Sequence, residues 1–173
     1  MTFDFSEFKN KKIIVTGSST GIGFETGVEF LNLGANVIFH GNQSINDLEA
    51  RIKSKSQSQN FKIFKSDFTD LSQVDNFMNN AINYLNGLDI LVNNAGTMVG
   101  RYQLETISEK DFLKIFDLNA KSAYFATKSA CNIFKKQNYG TIINVSTISA
   151  RTGGSAGSSV YAASKAFVSG ITR

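Results

Sequence analysis

The chain has 173 residues, of which 42% are hydrophobic and 18% charged, and a net charge of +4 at neutral pH. That length and balance describe one soluble, globular unit long enough to bury a real core. The basic residues are scattered, with short clusters only at Lys9-Lys11-Lys12 and Lys135-Lys136. They read as solvated surface lysines and exclude the dense basic face that nucleic acid requires.

The single cysteine, Cys131, cannot form an intrachain disulfide, which fits a reducing compartment. No His or Asp/Glu cluster surrounds it, so it reads as a core thiol, and no residue is assigned to a metal. The first ten residues, MTFDFSEFKN, hold two acids and no apolar stretch, unlike a secretory leader. No apolar run approaches the ~20 residues that span a bilayer. A cytoplasmic protein without membrane contact is expected. Proline is absent although average usage is about 5%. Together with the many Asn, Lys, Ile and Phe, this points to compositional bias rather than a special fold.

In chain order, a strand is expected over residues 12–15 (KIIV), followed by Thr16-Gly17-Ser18-Ser19-Thr20-Gly21-Ile22-Gly23 and a helix over 22–33. A strand, a glycine turn and a helix start together suit a pyrophosphate. Gly17 permits the turn, Gly21 lets the backbone approach the phosphates, and Gly23 allows close helix–strand packing. The helix N-terminus adds free N–H groups and partial positive charge. A second strand covers 35–39 (ANVIF) and runs into His40-Gly41-Asn42-Gln43-Ser44. An acid there would bind the adenosine ribose 2′-OH and favour NAD. None is present, and no arginine is present to hold a 2′-phosphate. NADP is favoured over NAD. His40, the only histidine, reads as a contact to the ribose or phosphate or as a plain loop residue.

A helix follows over 45–53, a polar loop over 54–60 (SKSQSQN), and a third strand over 61–64 (FKIF). In the helix over 71–85, Leu71, Val74, Phe77, Met78, Ala81, Ile82 and Leu85 recur at helical spacing. A fourth strand covers 88–92 (LDILV), a long helix 109–136, and a fifth strand 141–145 (TIINV). The small-residue stretch 151–159 (RTGGSAGSS) reads as a flexible loop, and a last helix carries Tyr161 and Lys165 and is cut at 162–173. Near-continuous apolar strands alternating with helices predict an α/β, Rossmann-like, doubly wound parallel sheet with right-handed crossovers.

With these motifs in place, residues from about Lys11 to the end resemble the short-chain dehydrogenase/reductase family, nearest the branch of 3-oxoacyl-carrier-protein reductases. Five motifs carry the resemblance: TGSSTGIG; Asp67 after the third strand; Asn93-Asn94-Ala95-Gly96 after the fourth; Asn119 in Asp-Leu-Asn; and Tyr161-x-x-x-Lys165. It implies that Gly17, Ser19, Thr20, Gly21, Ile22 and Gly23 bind the pyrophosphate. Asp67 and Phe68 would lie at the adenine, and Asn94, Ala95 and Gly96 beside the cofactor. The implied reaction interconverts a hydroxyl and a carbonyl group of a small alcohol or ketone with NADP or NAD. Tyr161 would be the general acid. A free phenol keeps its proton to about pH 10, and an ammonium four residues on, on the same helical face, favours the phenolate. Lys165 would also hold the nicotinamide ribose, and Asn119 a water of the proton relay. The family's carbonyl-polarising hydroxyl aligns with Thr147 in Asn144-Val145-Ser146-Thr147; Ser149 and Ser146 are alternatives. Alternation puts Ser149 on the Thr147 side if the chain stays extended.

The family has a sixth and usually a seventh strand with substrate-covering helices, all of which would follow Arg173. The resemblance therefore implies five strands of six or seven, in one dinucleotide-binding domain over residues 1–173. It also implies a truncated product whose fifth strand is an exposed edge beside open apolar faces. An inactive remnant, or a dinucleotide-binding module without turnover, is the alternative to an active enzyme. A homodimer through the helices of Asn119 and Tyr161 is expected, and a tetramer is not.

Overall fold

The computed structural model describes residues 4–43 and 45–172. Ser44, Arg173 and the first three residues, where the leader was sought, lie outside the described residues. Among the described residues one parallel five-stranded sheet has the order β3-β2-β1-β4-β5. Its strands are β1 Lys12–Val15, β2 Asn36–Gly41, β3 Phe61–Lys65, β4 Ile90–Asn93 and β5 Thr141–Asn144. All four pairings are parallel, with Ile14 opposite Ile38 on one side and Leu91 on the other.

Alternation along the strands sorts the apolar side chains into two layers. Ile13, Val15, Val37 and Phe39 pack with Phe24, Val28 and Leu31 of α1 Gly21–Asn32 and with Leu48 and Ile52 of α2 Leu48–Lys55. Ile14, Ile38 and Leu91 face the other way, onto α3 Leu71–Leu85 and α5 Ser122–Gln137. Each such large side chain removed from water contributes about 1.5–3 kcal/mol, so sheet register is strongly determined.

Helix α3 begins and ends where its periodicity predicts. Asp70 caps it by accepting the Ser72 N–H, and Asn86 closes it in the left-handed conformation. Helix α2 starts later than expected, because residues 45–48 first make a turn. The long helix expected over 109–136 is three segments: α4 Glu109–Phe116, a π-helical turn Asp117–Lys121, and α5. After β5 the chain does not stay extended. Ile148 is already helical, and a short α6 Ser149–Thr152 precedes α7 Ser159–Gly170.

The two sheet edges differ. β3 presents Lys62 and Lys65 to solvent, a charged edge that resists pairing with another chain. β5 leaves Ile143 42% exposed on the other. Among the described residues no helix is long and apolar enough to cross a membrane.

Candidate active site

The C-terminal ends of β1, β2, β3 and β4 open onto a cleft whose lining runs from Asp67 and Asn42, past Gly17 and Ser19, to Gly96 and Leu118. Such a crevice is where doubly wound sheets bind ligands.

The glycine loop is held from below by buried Thr16. Its hydroxyl accepts the N–H groups of Asn94 and Ala95, each at 3.0 Å, and donates to the Val92 carbonyl at 3.3 Å. That uses the full capacity of a hydroxyl. The Asn94 amide returns two bonds, to the carbonyls of Thr16 and Gly17. Gly17 has φ +62°, and a Cβ there would stand 2.7 Å from the Ala95 Cα. Gly21 has φ +58° with open space around it. Thr20 begins α1 without a side-chain cap, and the first turn holds no acid. The first amides of α1 therefore remain free for an anion. An open glycine cradle before an uncapped helix start fits a dinucleotide pyrophosphate.

At the second-strand end, His40 is buried and packs its ring on Phe68, centroids 3.9 Å apart. Its Nδ1 accepts the Gly17 N–H at 2.9 Å and its Nε2 faces the Ser66 carbonyl at 3.1 Å. Both ring nitrogens are thus taken by backbone, which leaves none for a ribose or phosphate. Burial pushes the His40 pKa down from 6.5 to about 4. The Asp67 carboxylate accepts the N–H and Oγ1–H of Thr69 at 2.9 and 2.8 Å. Burial raises its pKa, but these bonds and one from Asn42 outweigh that and hold it below the usual carboxylate range. The Phe68 ring lies beneath the cleft, against His40 and Phe77.

At the far end, α7 packs on the π-helical turn, on α4 and on α6. The turn widens the helical ladder, with the Ser122 N–H reaching back to the Asp117 carbonyl. Asn119 sits in this turn, fully buried. Its amide donates to the carbonyls of Thr97 and Ile115, each at 2.8 Å, while its Oδ1 has no partner among the described residues. That orphan acceptor faces Gly96, where an added Cβ would collide with it and stand 2.8 Å from Lys165 Nζ. Lys165 is buried, donates to the Val145 carbonyl at 3.0 Å and, among the described residues, forms no ion pair. Burial lowers its pKa from the ordinary lysine value. Tyr161, half-buried, stands one turn before Lys165.

The three candidate hydroxyls after β5 separate. Thr147 Oγ1 accepts the Ser149 N–H at 3.3 Å, which leaves its own proton free to donate. Ser146 turns to α7, donating to the Lys165 carbonyl and pairing with Ser169. Ser149 begins α6, so the extended register expected to align it with Thr147 is absent. The stretch expected as a flexible loop is tied down. Arg101 donates to Ser155 Oγ and to the Ala156 carbonyl, and the Tyr102 N–H to the Gly157 carbonyl.

One contributor, Arg51, had no local signal in the sequence, whereas Asn93 belongs to the Asn-Asn-Ala-Gly motif. Arg51 comes from α2, ten residues beyond the end of β2. It lies over the Phe24 ring at 4.7 Å and donates to the Ser19 carbonyl in the glycine loop. Asn93 joins β4 to α5 and β5 through Thr127 Oγ1 and Asn144 Oδ1, both at 2.9 Å.

A parallel sheet of this order, with a glycine turn leading into a helix start at its central strand, is the Rossmann-like α/β fold of NAD(P)-dependent oxidoreductases. Residues 11–173 match the short chain dehydrogenase family, and the chain belongs to it. It is 30% identical over 164 residues to the hydroxynaphthalene reductase-like protein Arp2 of Metarhizium acridum, covering 94% of this chain and 60% of that one. A 3alpha-hydroxysteroid dehydrogenase of Mediterraneibacter gnavus is 34% identical over 98% of this chain and 68% of its own length. The crystal structure of NADH-dependent reductase A1-R' complexed with NAD superposes with a TM-score of 0.88 at 32% identity, covering 97% of this chain and 72% of that one. The chain thus spans about 60% of the length of the first of these relatives.

Proposed function

We propose that residues 1–173 form one NAD(P)-binding domain of an oxidoreductase that interconverts a hydroxyl and a carbonyl group. The observation that carries this reading is the meeting of the unpartnered Asn119 Oδ1 and the buried Lys165 Nζ at Gly96, a position only a glycine leaves open. When bound, the nicotinamide supplies or accepts the hydride. Tyr161 gives or takes the proton at the substrate oxygen. Among the described residues its hydroxyl has no hydrogen-bond partner, so it is available for that exchange. Lys165, held by Val145, places a buried ammonium beside Gly96, where it binds the nicotinamide ribose. Asn119 Oδ1 accepts from a relay water. Thr147 donates its free proton to the substrate oxygen and so stabilises charge developing there.

Gly17, Ser19, Thr20, Gly21, Ile22 and Gly23 hold the pyrophosphate; Asp67 and the Phe68 backbone flank the adenine; Asn94, Ala95 and Gly96 border the ribose and nicotinamide. NADP is preferred over NAD. No acid stands in Asn42-Gln43-Ser44, directly after β2, to repel a 2′-phosphate, and Arg51, paired with Asp47 at 3.6 Å, brings a guanidinium to the glycine loop. The hydroxynaphthalene and hydroxysteroid named for two relatives favour a small alcohol or ketone substrate. A homodimer would use α4, α5 and α7, which share an aromatic cluster of Phe112, Phe116, Tyr124 and Phe167 that is partly open to solvent. The alternative reading is a dinucleotide-binding module without turnover.

The test is a fluorescence titration with NADPH and NADH in parallel, followed by assay of carbonyl substrates. Saturable binding with turnover supports the oxidoreductase, and binding without turnover on any carbonyl supports the module. A folded chain that binds neither dinucleotide overturns both.

A further inference from the structure

We propose that His40 is a positioning residue that sets the pyrophosphate loop and couples it to the adenine end of the cleft. The proposal rests on the dinucleotide-binding reading above and adds a residue to it. His40 is the penultimate residue of β2 and only 3% exposed. It holds the glycine loop through its main-chain N–H, its carbonyl and its ring Nδ1. Its main-chain N–H donates to Ser18 Oγ and its carbonyl accepts the Ser18 N–H, each at 2.8 Å. Ser18 Oγ in turn donates to the Val15 carbonyl at 2.6 Å.

The ring continues the same work. The Gly17 N–H can only donate, so Nδ1 must be the bare acceptor; the Ser66 carbonyl can only accept, so Nε2 must carry the proton. The surroundings thus select one neutral tautomer. The Gly17 N–H is consumed inside the protein and pinned 2.9 Å from the ring. Anion binding is left to the amides further along, at the start of α1. The same ring stacks on Phe68, and Ser66 and Phe68 flank Asp67 at the exit of β3. One side chain therefore spans the loop after β1, the end of β2 and the loop after β3. A shift at either end of the cleft must move through it.

Two near-isosteres separate the two ring contacts. In His40→Asn the side-chain carbonyl takes the place of Nδ1 and can accept from Gly17, but nothing reaches Ser66. In His40→Gln the amide takes the place of Nε2 and can donate to Ser66, but Gly17 loses its acceptor. We expect the Gly17 amide to exchange with solvent about tenfold faster in His40→Gln than in His40→Asn, and NADPH affinity to fall by a similar factor in His40→Gln alone. A role in packing only would lower thermal stability in both variants, leave their NADPH affinities alike, and overturn the proposal. Nitrogen-15 NMR of the wild-type imidazole needs no variant. A bare Nδ1 and protonated Nε2 at neutral pH are expected, and the opposite tautomer overturns the proposal even if neither variant folds. If the wild type binds no dinucleotide, the functional reading above fails; the Gly17 exchange rates and the tautomer then still decide the role of His40.

Discussion

The Lys165 ammonium donates to the main-chain carbonyl of Val145, 3.0 Å away, at the point where the chain leaves β5. The contact fixes a buried cation between the sheet and α7 with, among the described residues, no carboxylate paired to it. Burying such a charge costs stability. Lys165→Met should therefore leave the melting temperature unchanged or raise it, while turnover falls about 10²–10⁴-fold, the usual worth of an acid–base contribution. Lys165→Arg should not restore turnover, because the planar fork cannot replace a compact ammonium at the end of a narrow stem. Parallel calorimetry and steady-state assays check this. Wild-type turnover in Lys165→Met would remove the residue from the chemistry.

Thr147 keeps a free hydroxyl proton, whereas Ser146 spends its hydroxyl on α7. Thr147→Ser retains that proton and should keep turnover within a few-fold. Thr147→Ala should lose about 10²–10³-fold in kcat, as for other donors to a developing oxyanion. Ser146→Ala should leave kcat nearly unchanged and loosen α7 slightly. If Thr147→Ala is unaffected, the polarising group lies elsewhere, and Ser149 is the next to test.

The parts of this arrangement that were legible in the sequence follow from burial. β1 and α3 occupy the spans their apolar patterns mark out, because each pattern has one face or layer to fill. The glycine turn was legible because only glycine tolerates φ near +60° so close to another backbone. The π-helical turn around Asn119 was not, since widening the ladder locally leaves helical periodicity almost intact. Nor was α6, whose four residues carry no apolar repeat. His40 and Arg51 act on residues 23 and 32 positions away, and no local pattern encodes such contacts.

Two glycines in the same loop should behave oppositely. At Gly17 an added methyl meets both a left-handed φ and the Ala95 backbone at 2.7 Å. At Gly21 it meets the left-handed φ alone. A left-handed alanine costs about 1–2 kcal/mol. Gly21→Ala should therefore fold with a modest drop in melting temperature yet lose most NADPH affinity, because the methyl fills the cradle. Gly17→Ala should lose a few kcal/mol more, or fail to fold. Denaturant titrations with cofactor binding on the folded fraction distinguish them. Equal destabilisation would mean that the Ala95 contact relaxes freely.

The state of His40 makes stability depend on pH. Its pKa is about 4 in the folded protein and near 6.5 when exposed, so between those values the unfolded chain binds the extra proton. Folding stability from this group is complete above pH 6.5 and declines as pH falls toward 4. The full loss is roughly 3 kcal/mol, from a difference of about 2.5 pH units at 1.36 kcal/mol each. That is a large share of the 5–15 kcal/mol typical of a domain. Asp67 adds loss only at lower pH, because its carboxyl is held below the usual range. Urea unfolding at pH 7.0 and pH 4.5 should show most of the decline in the wild type and little of it in His40→Asn, which has nothing to titrate in that window. Parallel pH profiles for the two proteins would mean that the imidazole takes up its proton in place, with the Gly17 contact already broken.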